Sequence, residues 1–256
     1  MACWPAVLCA QGDVQIVRSF EDIPMLPKTS AEVRLRYGTV TAPDGKTVDG
    51  DTKVQPIDDR MAAWTKSMMQ AAMANAMSSG PRGGSAITPA AGQALGAMQQ
   101  TFGRLTMGLS EEVRSYAATT QPIEDRYDAR VVDLDTTYYR KLERGGCMDP
   151  VPKKIDCGAV AAERDQAILK AGDAFLAEIA GPYEAHKAKV KGLAADAQGT
   201  LDQAHKAFGG APPAYARGIY QGMAASAMNA LAQAVDAESD IVALVYHKSV
   251  ERITKH

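Results

Sequence analysis

The chain has 256 residues, enough to bury one large core or two small ones, and hydrophobic residues make up 46% of it, which excludes disorder throughout. A formal net charge of −2, with no clustered Lys/Arg face interleaved with aromatics, argues against a nucleic-acid partner. Aromatics are only 6% while alanine is abundant and methionine numbers 12, and because alanine is the best helix former the composition leans helical.

Residues 1–10 are apolar and end in the small Ala10, just before the polar Gln11, Gly12 and Asp13. That is the pattern of the distal part of a secretory signal peptide, so this stretch reads as a signal-peptide remnant. It is short and lacks a basic n-region, and the alternative is a native N-terminus tucked against the domain. Cys3 and Cys9 lie within it, and belong either to a processed leader or to a local disulfide clasp. No segment approaches the ~20 apolar residues of a membrane-spanning helix.

Residues 11–56 differ from everything that follows. Val14 and Ile16, and then Val33, Leu35 and Tyr37, alternate with polar residues, the period-two pattern of half-buried strands. Pro24, Pro27 and Pro43 argue against helix. Pro43, Asp44, Gly45 and Lys46 make a turn that leads into Thr47 and Val48. The expectation is a small β or extended region that must lie on the helices or on a partner.

Residues 57–256 read as a bundle of long antiparallel helices. The first carries Met61, Trp64, Met68, Ala71 and Ala72 on one side and gives way to a glycine-rich linker at residues 79–85. Thr88 and Pro89 pair as N-cap and first helical residue, opening a stripe of Leu95, Met98, Phe102, Leu105 and Leu109. Ser110 with Glu111 and Glu112 either caps a new segment or continues this one. Pro122 opens a further helix with a stripe of Tyr127, Val131, Leu134, Tyr138 and Leu142, ending at Gly145 and Gly146.

Cys147 and Cys157 follow. Glycines lie just outside both, and Pro150 and Pro152 lie between them, so the pair brackets a loop. The C-x2-C spacing of zinc sites is absent and no histidine is near, so a disulfide is expected rather than a metal site, the alternative being two free thiols in a reducing compartment. Beyond it, Val160, Ile168, Phe175, Ile179 and Tyr183 form the next stripe, with Gly181 and Pro182 expected to kink or divide the helix. Val190, Leu193, Ala197, Leu201, Ala204 and Phe208 continue to Gly209 and Gly210. A last helix follows Pro212 and Pro213, with Ile219, Met223, Leu231, Val235, Val242 and Val245 facing inward. So short a connection makes the helices on either side antiparallel neighbours, with the disulfide at the tip of their hairpin.

Chemistry-bearing patterns are sparse. Gly92-x-x-x-Gly96 and Gly218-x-x-x-Gly222 followed by Ser226 place small residues at helical spacing, for close helix packing or, in the alternative, an oligomer or membrane face. Met61, Met68, Met69, Met73 and Met77 form a core stripe or an adaptable groove. His186 and His205 do not share a helix face, and the Asp202–His205 pair is half of a di-metal ligand set, so no metal or cofactor is expected. Asp125, Asp128, Asp133 and Asp135 alternate with Arg126, Arg130 and Arg140 as a solvated, ion-paired face does. There is no G-x-S-x-G, no histidine beside the Cys147–Cys157 pair and no phosphate loop, so the chain does not read as an enzyme.

The reading is therefore a non-enzymatic, extracytoplasmic helical protein, periplasmic or secreted, acting on a protein partner or as a homo-oligomer. Its roles would be in a secretion or pilus apparatus, or in binding and neutralising a partner. The stapled tip offers Met148, Asp149, Val151, Lys153, Lys154 and Ile155 as contact residues. The alternative is a membrane-active effector in which residues 61–109 and 214–245 insert.

Overall fold

The computed structural model describes residues 25–37, 39–41, 47–49, 89–148, 152–207, 234 and 236–254. The described part is a mainly α bundle, as the sequence predicts. Its elements in order are α1 (Ser30–Tyr37), β1 (Thr39–Thr41), β2 (Thr47–Asp49), α2 (Pro89–Arg144), α3 (Cys157–Ala207) and α4 (Ala237–Val245); a π-helical turn (Tyr246–Val250) and α5 (Glu251–Thr254) follow.

Contacts cluster the chain into two compact units. One comprises Met1–Pro24, Pro56–Ser115 and Ala185–Asp236; the other comprises Met25–Gln55, Tyr116–Glu184 and Ala237–His256. The expected helix of residues 57–78, the linker, the Cys3–Cys9 pair and most of the last helix lie outside the described residues.

Most of the stripe residues read from the sequence are in the core. In the first unit Met98, Phe102, Leu105 and Leu109 of α2 are buried, as are Val190, Ala197, Leu201 and Ala204 of α3, while Leu95 and Leu193 are half-buried and Ala194, not in the expected stripe, is buried. Gly108 lets α3 approach here, since a Cβ in its place would come 3.0 Å from Leu193 Cδ2. In the second unit Tyr127, Val131, Leu134 and Leu142 of α2, Ile168, Phe175, Ile179 and Tyr183 of α3, and Ile241, Val242 and Val245 of α4 are all buried. The Tyr127 and Phe175 rings stack with centroids 4.7 Å apart. Burying several such side chains, at roughly 1.5–3 kcal/mol each, is the main force holding each unit together.

Three expectations are corrected. The alternation of Val33, Leu35 and Tyr37 is not a strand: these residues belong to α1, where Val33 is buried and Leu35 is 70% exposed. A capping pair decides it. The Glu32 N–H donates to Thr29 Oγ1 at 3.2 Å, and the Lys28 N–H donates to Glu32 Oε2 at 2.7 Å, so two backbone donors at the helix start are satisfied locally. The two short strands that follow do pair antiparallel, Val40 opposite Val48, around the expected turn, which itself lies outside the described residues.

Pro122 does not open a helix; it sits inside the single 56-residue α2. Its ring side is exposed, as is Ala118 four residues earlier, so water can reach the carbonyl that loses its donor. Likewise Gly181 and Pro182 do not divide the 51-residue α3. Ile179 and Tyr183, on either side of them, are almost wholly buried, and that packing outweighs the ~3 kcal/mol handicap of an internal proline.

Candidate functional site

The loop between α2 and α3 is built from four local devices. Gly146 adopts φ +74°, the left-handed conformation that favours glycine. From there the Gly146 N–H donates to the Glu143 carbonyl at 3.0 Å and the Cys147 N–H to the Leu142 carbonyl at 2.9 Å, which together close α2 in a Schellman motif. On the other side Asp156 caps α3, its Oδ1 accepting from the Ala159 N–H at 3.0 Å. The disulfide Cys147–Cys157 then joins the residue just past one cap to the first residue of the next helix, with Cα atoms 5.8 Å apart.

The six proposed contact residues divide. Met148, Lys153 and Lys154 are exposed, while Asp149 and Val151 lie outside the described residues. Ile155 is turned inward: its Cδ1 occupies the space that a Cβ on residue 145 would need, so Gly145 is required there. The Lys154 N–H donates to the Gly145 carbonyl at 3.0 Å, fixing the return of the loop. Below the tip Lys141 Nζ lies 2.7 Å from Glu163 Oε2 and 5.7 Å from the Tyr138 ring centroid. The contact raises the ammonium's proton affinity and lowers that of the carboxyl.

Beside this tip runs an open groove of about 540 Å³, lined by Asp135, Tyr139, Arg140, Glu143, Arg164 and Arg252. Arg252 pairs with Asp135, and Arg164 forks onto its neighbour Asp165 through Nε at 3.1 Å and a terminal nitrogen at 2.9 Å. Tyr139 shows 56% of its surface. Asp135 and Arg140, read as part of a solvated face, thus take part in a groove.

Two buried polar clusters were not anticipated. In the first unit His186 is nearly fully buried, with Nδ1 3.2 Å from Glu112 Oε1 and Nε2 2.5 Å from the Ala234 carbonyl. A carbonyl only accepts, so Nε2 is the donor in the contact with Ala234. Lys189 Nζ stands 2.7 Å from the other carboxylate oxygen. In the second unit the Tyr127 and Ser249 hydroxyls are 2.5 Å apart, and Ser249 Oγ donates to the Val245 carbonyl at 2.7 Å. Ser30 Oγ donates to the Leu169 carbonyl at 3.0 Å, while the Ser30 N–H donates to Asp173 Oδ1 at 2.7 Å. Both serine hydroxyls are thus spent on backbone carbonyls and point at no base. Burial holds the phenols of Tyr127 and Tyr116 well above their ordinary ionisation range.

A signal for these clusters was present. Glu112 and His186 fall on the apolar stripes of α2 and α3, and Gly172 and Ser249 fall on stripes too. A polar or glycine residue in core register marks where another element comes close. The small-residue pairs that were singled out behave differently: Gly92 and Gly96 are exposed, with nothing within 4 Å of a Cβ on Gly96, and Gly218, Gly222 and Ser226 lie outside the described residues.

Among the described residues no group of three or more His, Cys, Asp or Glu is placed to hold a metal ion, and no helix is long and apolar enough to cross a membrane. Compared with protein-family models, curated proteins and solved structures, the chain matches none.

Proposed function

We propose that this chain is a non-enzymatic, extracytoplasmic interaction protein that engages a protein partner through its stapled tip. The observation that carries the reading is the combination of a rigid frame with exposed side chains. The Schellman closure, the Asp156 cap and the disulfide fix the backbone at residues 142–148 and 154–159, while Met148, 51% exposed, and the cations Lys153 and Lys154 face solvent. Contact residues carried on a backbone fixed in advance give up little entropy on binding. A structural disulfide also persists best in an oxidising compartment, which supports placement in a periplasm or outside the cell.

A photo-crosslinking amino acid at position 148 or 153, compared with one at the exposed Lys191 of α3, tests this in the native cells. A discrete adduct from the tip positions, lost on Lys153→Glu/Lys154→Glu, is the expected result. Adducts of equal yield from Lys191, or none from the tip, would overturn it. Dye release from liposomes by the pure protein would favour the membrane-active alternative instead.

A further inference from the structure

The second unit holds another groove, on the opposite flank of the helix pair from α4. At 3.6 residues per turn, Gly172, Leu169 and Asp173 of α3 share one flank, and Ala167, Ala171, Ala174 and Glu178 share the other. The first flank is covered. A Cβ on Gly172 would run into Ser30 Oγ and come 3.1 Å from Ser249 Oγ. The second flank is open as a groove of about 460 Å³. Its floor is the buried apolar surface of Ile123, Tyr127 and Phe175. Its rim is charged, with Arg126, Arg130 and Lys170 against the one carboxylate Glu178. Arg126 pairs with Glu178, and Arg130 stands 3.7 Å from the exposed Asp133, so with Lys170 the rim has surplus positive charge among the described residues.

We infer that this groove docks an acidic amphipathic helix supplied by a partner protein. The lining residues run from Ala167 to Glu178 on α3, which at 1.5 Å per residue spans ~16 Å, about three helical turns of an occupant. The alanines lower one wall, so a helix axis can approach within the ~8–10 Å of ordinary helix packing. The same helix pair already takes a helix on its other flank, at Gly172. The occupant's larger apolar side chains cover the floor, and glutamates or aspartates flanking that apolar face meet Arg130 and Lys170. The inference concerns a surface separate from the tip and stands or falls without it.

The test uses the full, disulfide-intact chain and two fluorescein-labelled synthetic helical peptides. They share leucines at i, i+3, i+4 and i+7; glutamates flank that face in one and lysines in the other. Anisotropy titrations should show the glutamate peptide binding about tenfold or more tighter than the lysine peptide. Arg130→Glu/Lys170→Glu, both exposed positions, should reverse that preference, which misfolding would not do. Ala171→Trp, with its melting curve checked, should abolish binding of both. Equal affinities, or a preference unmoved by the charge reversal, would overturn the inference. So would a dimer of the chain that Lys170→Glu dissociates, or flotation with phosphatidylglycerol vesicles without peptide binding; these would assign the groove to a second copy or to lipid.

Discussion

Tyr127 and Ser249, 122 residues apart in the chain, hold hydroxyl to hydroxyl at 2.5 Å inside the second unit. Ser249 lies in the π-helical turn and gives its own proton to the Val245 carbonyl, so Tyr127 is the donor between them. Tyr127→Phe removes one buried bond and leaves Ser249 still satisfied as a donor. The expected loss is ~1 kcal/mol in urea unfolding. The phenol also gives a pH signature. Burial pushes its ionisation up from 10.0 to about 12, with the Ser249 hydrogen bond opposing the shift and Asp128 adding to it. Below pH 10 both folded and unfolded states keep the proton and the contribution is whole. As pH rises above 10 the unfolded chain ionises first, so stability is lost through the folded value, by ~2–3 kcal/mol in all. Tyr116 shifts in the same direction, by burial first and then by Glu124 and Asp240. Between pH 10 and 11.5 the urea midpoint of the wild type should therefore fall more steeply than that of Tyr127→Phe. Parallel slopes would refute the assignment.

Gly172 is the point where α1 and the C-terminal helical turn both touch α3. A methyl there overlaps Ser30 Oγ and crowds Ser249 Oγ, and neither hydroxyl can retreat without giving up its bond to a carbonyl. Gly172→Ala is expected to destabilise by ~1–3 kcal/mol, despite alanine's better helix propensity. Adding Ser30→Ala removes the harder clash, so the double variant should regain part of the loss. A thermodynamic cycle from urea midpoints reads this directly; strictly additive effects would mean the two residues do not meet.

Much of this fold was legible because helices bury periodic stripes. Met98, Phe102, Leu105 and Leu109 recur at three and four residues, and Val160, Ile168, Phe175, Ile179 and Tyr183 at one or two helical turns, and all are buried. The disulfide was legible from glycines and prolines around two cysteines. What misled was local punctuation weighed without packing. Pro122 and Pro182 are strong breakers in isolation, yet Ile123, Ile179 and Tyr183 beside them are anchored in the core, and each helix continues. Val33, Leu35 and Tyr37 alternate over too few residues to outvote the Thr29-x-x-Glu32 cap. The grooves could not be read at all, because each needs two helices in register and a sequence gives one face at a time. With its helix neighbours Arg126 reads as part of a solvated, ion-paired face; its partner is Glu178 on α3.

Glu112 and His186 test the first unit in the same way. Glu112 Oε1 faces His186 Nδ1, and its second oxygen faces Lys189, so one carboxylate serves two nitrogens. Both Glu112 and His186 are more than nine-tenths buried. Glu112→Ala strips that carboxylate from a buried ring and should cost ~2–4 kcal/mol. Glu112→Gln keeps the shape and one acceptor, so it should cost about half as much. Lys189 is exposed at its end, and Lys189→Met should lower stability far less than Glu112→Ala does. Chemical denaturation of the three variants checks the order; a Lys189→Met loss as large as that of Glu112→Ala would contradict it.

The disulfide closes a loop with a sequence separation of 10, and its neighbours are already capped on both sides. Its stabilising effect is therefore expected to come mainly from restricting the unfolded chain, roughly 2–3 kcal/mol for a loop this short. Cys147→Ser/Cys157→Ser should lower the unfolding free energy by about that amount while leaving far-UV circular dichroism unchanged, because the Schellman bonds and the Asp156 cap do not depend on sulfur. The tip would nonetheless loosen. Backbone amides of residues 145–148 and 154–157 should exchange hydrogen faster than in the bridged protein, and those near Tyr127 and Phe175 should not. If the tip carries the partner contact, the same variant binds more weakly although Met148, Lys153 and Lys154 are all present, since ordering them is then charged to binding. Unchanged affinity in the unbridged variant, with faster exchange at the tip, would separate the staple from recognition and move the contact elsewhere on the molecule.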